Sequence, residues 1–283
     1  MTLFQIIKTK AKITHDFITF ELFWLQKCHC PPKPISKTIL VIRLDAIGDS
    51  IIWLDQAKEY RKAFPEHKII LLHNKVWTDI ANRLTWFDEC VPFDWSKIGN
   101  RKYYKELLTT LNKYSYEKVY SPVFSRDFIT VDWLVHNVIA QEKIGYEGDY
   151  QNNRGRVHLN LFVNNNYDRL HLKEKADKWY TQLVPNDNKC IMELQRNAHF
   201  IRQTINPDFK SALPSIPFNI PSPDFIPTNE YAVFFIGAST ELRTWPVNKF
   251  NLIEQHISYK TILLCGSSDD SLLAQKYLYQ IIL

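Results

Sequence analysis

The chain has 283 residues, of which 45% are hydrophobic and 23% charged, and its formal net charge is +5. This length allows two domains of ordinary size, and the composition is that of a globular protein. The mild positive charge suits an acidic ligand, an anionic membrane surface or simply solubility, and it is too small to indicate a nucleic-acid-binding protein.

The five cysteines are scattered along the chain, and an odd, scattered set is not a disulfide framework. Cys28 and Cys30 flank a histidine, but no further ligands follow at a zinc-like spacing, so we expect no metal. We also expect no signal peptide and no transmembrane span, because charged residues interrupt the apolar runs near the start. A cytoplasmic protein is the simplest expectation.

Residues 1–35 are predicted to form an amphipathic extension and a linker. Three lysines come first, aromatic residues follow on a short helix, and PPKP ends the segment. Basic residues combined with bulky aromatics are typical of a helix at a membrane interface. The same helix could instead pack its aromatic side chains against the body of the protein, and the pattern leaves both interpretations open.

From residue 36, strand-like runs alternate with helical patterns. The strand-like runs are KTILVIRL, HKIILLHN, ECVPF and EKVYSPVF. The helical stretches are DSIIWLDQAKEYRKAFP, RKYYKELLTTLNKY, DFITVDWLVHNVIA, a short one near 76–84 and a charged one over 168–205. Strands separated by helices indicate βαβ units, so we predict an α/β domain with a doubly wound parallel sheet over 36–212.

A proline-rich segment at 213–229 is predicted to be a linker, because such a density of proline forbids regular structure. A second α/β unit is predicted over 230–283. Its strands and loops are EYAVFFIGAST and KTILLCGSSDD, and its helices are WPVNKFNLIEQHI and DSLLAQKYLYQIIL.

The stretch DAIGDS lies between the first predicted strand and the helix that follows it. In parallel sheets, ligands bind at this end of the strands. Gly48 is expected to allow a tight turn, and Asp45 to solvate or support it. Asp49 is expected at or near the helix N-cap, where it acts either as a cap only or as a general base facing a cleft. The absence of G-x-G-x-x-G gives nicotinamide or flavin binding little support.

GASTELRTWP occupies the matching position in the second unit. Small and hydroxylated residues, followed by Arg243, suit a phosphate that is bound by backbone N–H groups, hydroxyls and a guanidinium. An ordinary capped turn with a surface arginine explains the same pattern. In CGSSDD, Asp269 and Asp270 could accept hydrogen bonds from ribose hydroxyls, or they could cap the following helix.

These stretches, in this order, resemble the bacterial lipopolysaccharide heptosyltransferases of glycosyltransferase family 9. RLDAIGDSIIWLDQAKEYRKAFP is similar to the family's R-x-x-x-x-G-D, amphipathic helix and F-P. GASTELRTWPVNKF is similar to G-A-S-x-x-x-K/R-x-W-P-x-x-x-F, and TILLCGSSDDSLLAQ to a strand followed by G-x-x-x-[DE]. QEKIGYEGD resembles the family's R-I-G-[FY], with Lys143 where arginine is usual. The resemblance covers about residues 37–283.

The resemblance implies a GT-B fold, in which two Rossmann-like domains face a cleft. It implies inverting, metal-independent transfer, without a cofactor, of heptose from ADP-heptose to the Kdo or heptose of the inner core on lipid A. Asp49 would be the base. Ser239, Thr240 and Arg243 would contact the donor phosphates, and Asp270, or else Asp269, the ribose. Because such acceptors carry carboxylates and phosphates, the basic residues Arg126 and Lys143 are their predicted contacts, and the enzyme is expected on the cytoplasmic face of the inner membrane.

The second domain is shorter than the family pattern. We therefore expect it to be incomplete and the chain alone to be weakly active or inactive, with a truncated reading frame favoured over a compact variant. Two alternatives stay open. One is a transferase that uses another nucleotide sugar, and the other is a non-catalytic remnant that binds a nucleotide sugar.

Overall fold

The computed structural model describes residues 34–98, 100–149, 173–211, 213–219, 226, 228–238 and 241–264. It divides into two compact units, Met1–Phe218 and Asn219–Leu283. The division falls within the predicted linker 213–229. The predicted amphipathic extension lies outside the described residues except for Pro34 and Ile35.

Unit 1 is built on a six-stranded sheet in the order β3-β2-β1-β4-β5-β6, and every neighbouring pair of strands is parallel. The α/β prediction is therefore confirmed. The strands are β1 (Ser36–Arg43), β2 (Lys68–Asn74), β3 (Glu89–Phe93), β4 (Tyr116–Ser121), β5 (Ala140–Tyr146) and β6 (Gln182–Val184).

The helices of unit 1 connect these strands. They are α1 (Ile47–Ala63), α2 (Thr78–Ala81), α3 (Arg101–Leu111), α4 (Trp133–Asn137) and α5 (Glu193–Thr204). Short 3₁₀ turns at Lys75–Trp77 and Trp95–Lys97 precede α2 and α3, and a π-helical turn at Phe128–Asp132 precedes α4. A further helical turn covers 173–177.

The core of unit 1 lies on both faces of the sheet. Along β1, Leu40 and Ile42 belong to the cluster that contains α3 and α4, whereas Ile39 and Val41 belong to the cluster that contains α1 and α5. All four side chains are fully buried. Because successive strand side chains point to opposite faces, a strand covered on both sides needs a continuous apolar run, and KTILVIRL provides one.

One predicted element differs in unit 1. The charged stretch 168–205 was predicted as helical throughout, but β6 lies inside it and pairs in parallel with β5. A strand of three residues carries too little periodicity to be separated from flanking helical patterns, and its position is decided by pairing at the edge of the sheet.

Unit 2 contains β7 (Tyr231–Phe235), a 3₁₀ turn at Glu241–Arg243, α6 (Val247–Glu254) and β8 (Lys260–Leu264). The two strands are parallel. Phe250 of α6 packs on Phe234 and on Trp245, with ring centroids 5.2 Å and 4.8 Å apart. The predicted loop and helix after β8 lie outside the described residues.

Candidate functional site

The carboxyl ends of β1 and β4 lie side by side in unit 1. The chain leaves β1 through α1 on one face of the sheet, and it leaves β4 through α4 on the other face. Such a change of direction separates the loops that follow the two strands and opens a crevice between them. DAIGDS follows β1, so the sequence-predicted loop lies at this point.

Asp49 is the third residue of α1, and its side chain is half-buried. The N-cap is Ala46, which makes no side-chain capping bond, so Asp49 lies near the N-cap, as expected, but is not itself the cap residue. A carboxylate in the first helical turn is stabilised by the helix dipole. Within the described part of the chain, no hydrogen bond to the Asp49 carboxylate is formed, which leaves its oxygens available to a ligand.

Gly48 does not have the role that the sequence predicted. It lies inside α1, and its φ is not positive, so no left-handed turn requires glycine. A Cβ atom built at Gly48 would meet nothing within 4 Å. Beside the Asp49 carboxylate, the glycine therefore leaves open space rather than relieving a backbone constraint.

Arg43, the last residue of β1, is the arginine of the R-x-x-x-x-G-D pattern, but the sequence assigned it no role. In the structure it is the centre of this region. Its side chain is fully buried, its Nε lies 2.8 Å from the Asp45 carboxylate, and its Nη2 donates to Glu193 at 3.1 Å. Burial lowers the pKa of Arg43, but the carboxylates of Asp45 and Glu193 more than offset this, and the net direction is upward. A lone arginine in an apolar strand was the available signal, because a buried charge needs partners.

Further contacts of Arg43 join the loop to α5. Nη1 donates to Oδ1 of Asn197 at 2.9 Å, and Nη2 makes a longer bond to the backbone oxygen of Asp49 at 3.4 Å. The guanidinium also lies 5.6 Å from the ring centroid of Trp53 in α1. One cation therefore links β1, the first turn of α1 and the first turn of α5.

The neighbouring strands hold the backbone of the same loop. Trp95 Nε1 donates to the carbonyl of Leu44 at 2.9 Å, and Asn74 Nδ2 donates to the carbonyl of Asp45 at 3.1 Å. Asn74 is the last residue of β2, and Trp95 begins the 3₁₀ turn that follows β3. Successive carbonyls are therefore held from different elements, which fixes the backbone of the loop just before the first turn of α1, where Asp49 lies.

Arg126 lies in the loop after β4, but its side chain is fully buried. Its guanidinium donates to the carboxylates of Asp132 and Asp177 and to the carbonyls of Tyr146 and Glu147. A guanidinium enclosed in this way has no surface to offer, so the prediction of Arg126 as an acceptor contact is corrected: it ties the loops after β4 and β5 together. Exposure of a basic residue in a loop cannot be read from the sequence.

Lys143 lies in β5, three residues before the carboxyl end of that strand. Its half-buried side chain donates from Nζ to the backbone carbonyl of His136 at 3.0 Å. At about 3.3 Å per residue, this position is about 10 Å before the edge of the sheet where Asp49 lies. The structure therefore does not bring Lys143 to that edge.

Of the predicted donor residues in unit 2, Arg243 is described. It ends the 3₁₀ turn that follows the carboxyl end of β7, and its side chain is exposed. Ser239, Thr240, Asp269 and Asp270 lie outside the described residues. Within those described, no group of three potential metal ligands occurs, and no helix is both long and apolar enough to cross a membrane.

No protein-family model and no curated protein matches this sequence. Solved structures do match. E. coli heptosyltransferase WaaC with ADP is 17% identical, with a TM-score of 0.57, and the match covers 87% of this chain and 74% of that one. A glycosyl transferase family 9 structure from Veillonella parvula DSM 2008 is also 17% identical, with a TM-score of 0.65 and coverage of 87% and 67%.

E. coli ADP-heptose lps heptosyltransferase II is 16% identical, with a TM-score of 0.57, and the match covers 85% of this chain and 68% of that one. Identities this low carry information about the fold and not about the substrate. The resemblance predicted from the sequence is confirmed at that level. The chain has the GT-B fold of heptosyltransferases and other family 9 glycosyltransferases.

Proposed function

We propose that this protein is an inverting glycosyltransferase that moves a heptose from ADP-heptose to the Kdo or heptose of the lipopolysaccharide inner core. The observation that carries the proposal is the Asp49 carboxylate, which is half-buried, unbonded among the described residues and located in the first turn of α1, after the carboxyl end of β1. Further support comes from the fold neighbours, one of which is WaaC with ADP-2-deoxy-2-fluoro heptose.

In the proposed reaction, Asp49 takes the proton of an acceptor hydroxyl. The oxygen then attacks the anomeric carbon as the bond from that carbon to ADP breaks, so a single displacement inverts the configuration and ADP leaves. A sugar hydroxyl is a poor nucleophile, and a positioned carboxylate contributes about 10²- to 10⁴-fold to such a step. ADP gains negative charge as it leaves, which positive groups nearby stabilise.

The donor side of the proposal rests on unit 2. Arg243 is exposed at the end of the 3₁₀ turn that follows β7, and the loops after parallel strands are where such sheets bind phosphates. Ser239 and Thr240 would add hydroxyl donors to the phosphates, and Asp270, or else Asp269, would accept from the ribose. The enzyme would work in the cytoplasm at the inner membrane, where its lipid-linked acceptor is exposed.

The proposal is tested by Asp49→Ala with Asp79→Ala as its matched control. Asp79 also lies in the first turn of a helix that follows a strand of the same sheet. We expect Asp49→Ala to bind ADP-heptose normally and to lose transfer by at least about 100-fold, and Asp79→Ala to change neither. Full turnover in Asp49→Ala would remove it as the base.

The assay uses enzyme in excess over ADP-heptose, so that slow transfer is also detected. Calorimetry with ADP-heptose is run in parallel. Binding without any transfer by the unmodified chain would favour the alternative of a nucleotide-sugar-binding protein. Binding of ADP-glucose in preference to ADP-heptose would favour a transferase with another donor.

A further inference from the structure

A second charged group accompanies Asp49 at the carboxyl edge of the unit 1 sheet. Arg196 of α5 is half-buried, its Nε donates to the carbonyl of Cys190 at 3.2 Å, and its guanidinium carbon lies 3.9 Å from the ring centroid of Phe124. Stacking and the Nε bond together fix the plane of the guanidinium. Nη1 and Nη2 form no hydrogen bond and no ion pair with the residues that the structure describes.

The neighbours of Arg196 determine where it lies. Phe124 belongs to the loop after β4, and Cys190 to the loop after β6. Both loops leave the carboxyl ends of their strands. Arg196 therefore lies at the edge of the sheet that carries DAIGDS, on the β4 side of β1.

Arg196 is also joined to Asp49 through a short chain of contacts. Nη2 of Arg43 bonds both the backbone of Asp49 and the carboxylate of Glu193. Glu193 and Arg196 are three residues apart on α5, so they lie on the same side of the helix with Cβ atoms about 5–6 Å apart. Asp49 and Arg196 are thus linked at one edge of the sheet through Arg43 and Glu193.

Among the described residues, no carboxylate forms an ion pair with Arg196. Glu193 is paired with Arg43, and Asp187 accepts from the backbone N–H of Lys189 at 2.9 Å. A guanidinium presents parallel N–H donors that match a carboxylate or phosphate, and a stacked guanidinium loses less freedom on binding. The guanidinium of Arg196 is therefore oriented in advance for binding an oxyanion.

We propose that Arg196 binds the oxyanion of the acceptor sugar, a carboxylate or a phosphate, and thereby places an acceptor hydroxyl next to Asp49. This inference rests on the proposed function for the identity of the acceptor. It takes the role that sequence reasoning gave to Arg126, which is buried, and to Lys143, which is not at this edge. Arg196 is on this account a substrate-binding residue and not the base.

The test measures binding of three sugars to the full chain by calorimetry: Kdo for a carboxylate, glucose 1-phosphate for a phosphate, and methyl glucoside as a neutral control. We expect Arg196→Gln to weaken binding of the preferred anion by about 10- to 100-fold, the usual effect of removing a charged hydrogen-bonding partner. Arg196→Lys should retain part of the affinity. If Kdo binds, the recognised group is a carboxylate, and if glucose 1-phosphate binds, it is a phosphate.

The matched control is Arg202→Gln. Arg202 is half-buried on the same helix and also donates to a backbone carbonyl, that of Phe209. The Arg202→Gln variant should bind the anion as the unmodified chain does. Thermal unfolding of all variants checks that they are folded. Unchanged affinity in Arg196→Gln, equal losses in Arg202→Gln, or binding of neither anion by the unmodified chain would overturn the proposal.

The transfer assay separates this inference from the proposed function. If Asp49→Ala abolishes transfer but Arg196→Gln leaves the acceptor KM unchanged, the function stands and the role of Arg196 fails. If Arg196→Gln no longer binds the anion but the unmodified chain transfers no heptose, the anion site stands and the transferase proposal fails.

Discussion

Arg43 Nη1 donates a hydrogen bond to Asn197 Oδ1 at 2.9 Å, although 154 residues separate them. Neither side chain is more than 1% exposed. The bond ties the end of β1 to α5, so the loop that carries Asp49 and the helix that carries Arg196 share one buried anchor. The geometry of the candidate site therefore depends on a residue that need not touch a substrate.

Replacing this anchor should destabilise unit 1. Arg43→Met leaves Asp45 and Glu193, whose side chains are 24% and 28% exposed, without their cation, and it leaves the buried Asn197 without its donor. Leaving such groups unsatisfied costs about 1–3 kcal/mol. We expect the free energy of unfolding, measured in urea, to fall by about that amount. Lys102→Met is the control, since the Lys102 side chain is 86% exposed and its replacement should cost less than about 0.5 kcal/mol. A loss below about 1 kcal/mol for Arg43→Met would contradict the anchor role.

Arg126 offers a test of its corrected role. Arg126→Gln should lower the free energy of unfolding by about 3 kcal/mol, because Asp132 is fully buried and would lose its cation. A substrate contact behaves differently, since its removal weakens binding and leaves stability nearly unchanged. Urea unfolding and Kdo titration of the same variant distinguish the two, and a stable variant with lost Kdo affinity would restore the original prediction.

The two glycines near the site should respond oppositely to alanine. Gly148 has a φ of +56°, and a Cβ there would lie 2.0 Å from the carbonyl oxygen of Phe124, so Gly148→Ala should cost more than about 2 kcal/mol. Gly48 lies in α1 with open space around it, so Gly48→Ala should be neutral or stabilise by up to about 1 kcal/mol. Thermal unfolding measures both, and a tolerated alanine at position 148 would show that the loop conformation is adaptable.

His73 should make stability depend on pH. Burial lowers the pKa of His73 from its ordinary value of 6.5, and a backbone hydrogen bond to Asn74 opposes this only in part. The folded state favours the neutral ring of His73. The resulting contribution to the free energy of unfolding is fully present above pH 6.5 and is lost as the pH falls below 6.5 towards the pKa of the folded state. His73→Gln should therefore lose less stability than the unmodified chain between about pH 7.5 and 5.5.

Urea unfolding at several pH values measures this difference. His199, whose pKa is also lowered by burial, should leave a residual slope of the same sign in the variant. Identical pH profiles for His73→Gln and the unmodified chain would show that His73 does not contribute.

Replacement of Arg243 should weaken the binding of ADP and leave the binding of the acceptor unchanged. Arg243→Gln removes an exposed cation from the 3₁₀ turn that follows β7, and we expect ADP affinity to fall by about tenfold or more. Lys249→Gln removes a similar exposed charge from α6 and should leave ADP affinity unchanged. Calorimetry with ADP provides the measurement, and equal affinities in the two variants would remove Arg243 from the donor site.

Much of the fold could be predicted from local pattern. β1 and β2 are apolar on both faces and so had to be buried strands, and DAIGDS had to follow the first of them. β6 was not predicted, because three residues are too few to show an alternation of apolar and polar side chains. Its conformation is decided by pairing with β5. A short edge strand is a property of the sheet more than of its own residues.

The sequence by itself determined the alternation of strands and helices, the α/β class, and the place of Asp49 after the first strand. Only the tertiary structure decided which charges are buried and paired. Arg43 and Arg126 are enclosed, whereas Arg196 keeps donors at the edge of the sheet. The partners of Arg43 lie on α5, about 150 residues later in the chain, and no local pattern records that proximity. Burial and pairing are settled by contacts between distant segments, and they determine which cations remain available to a substrate.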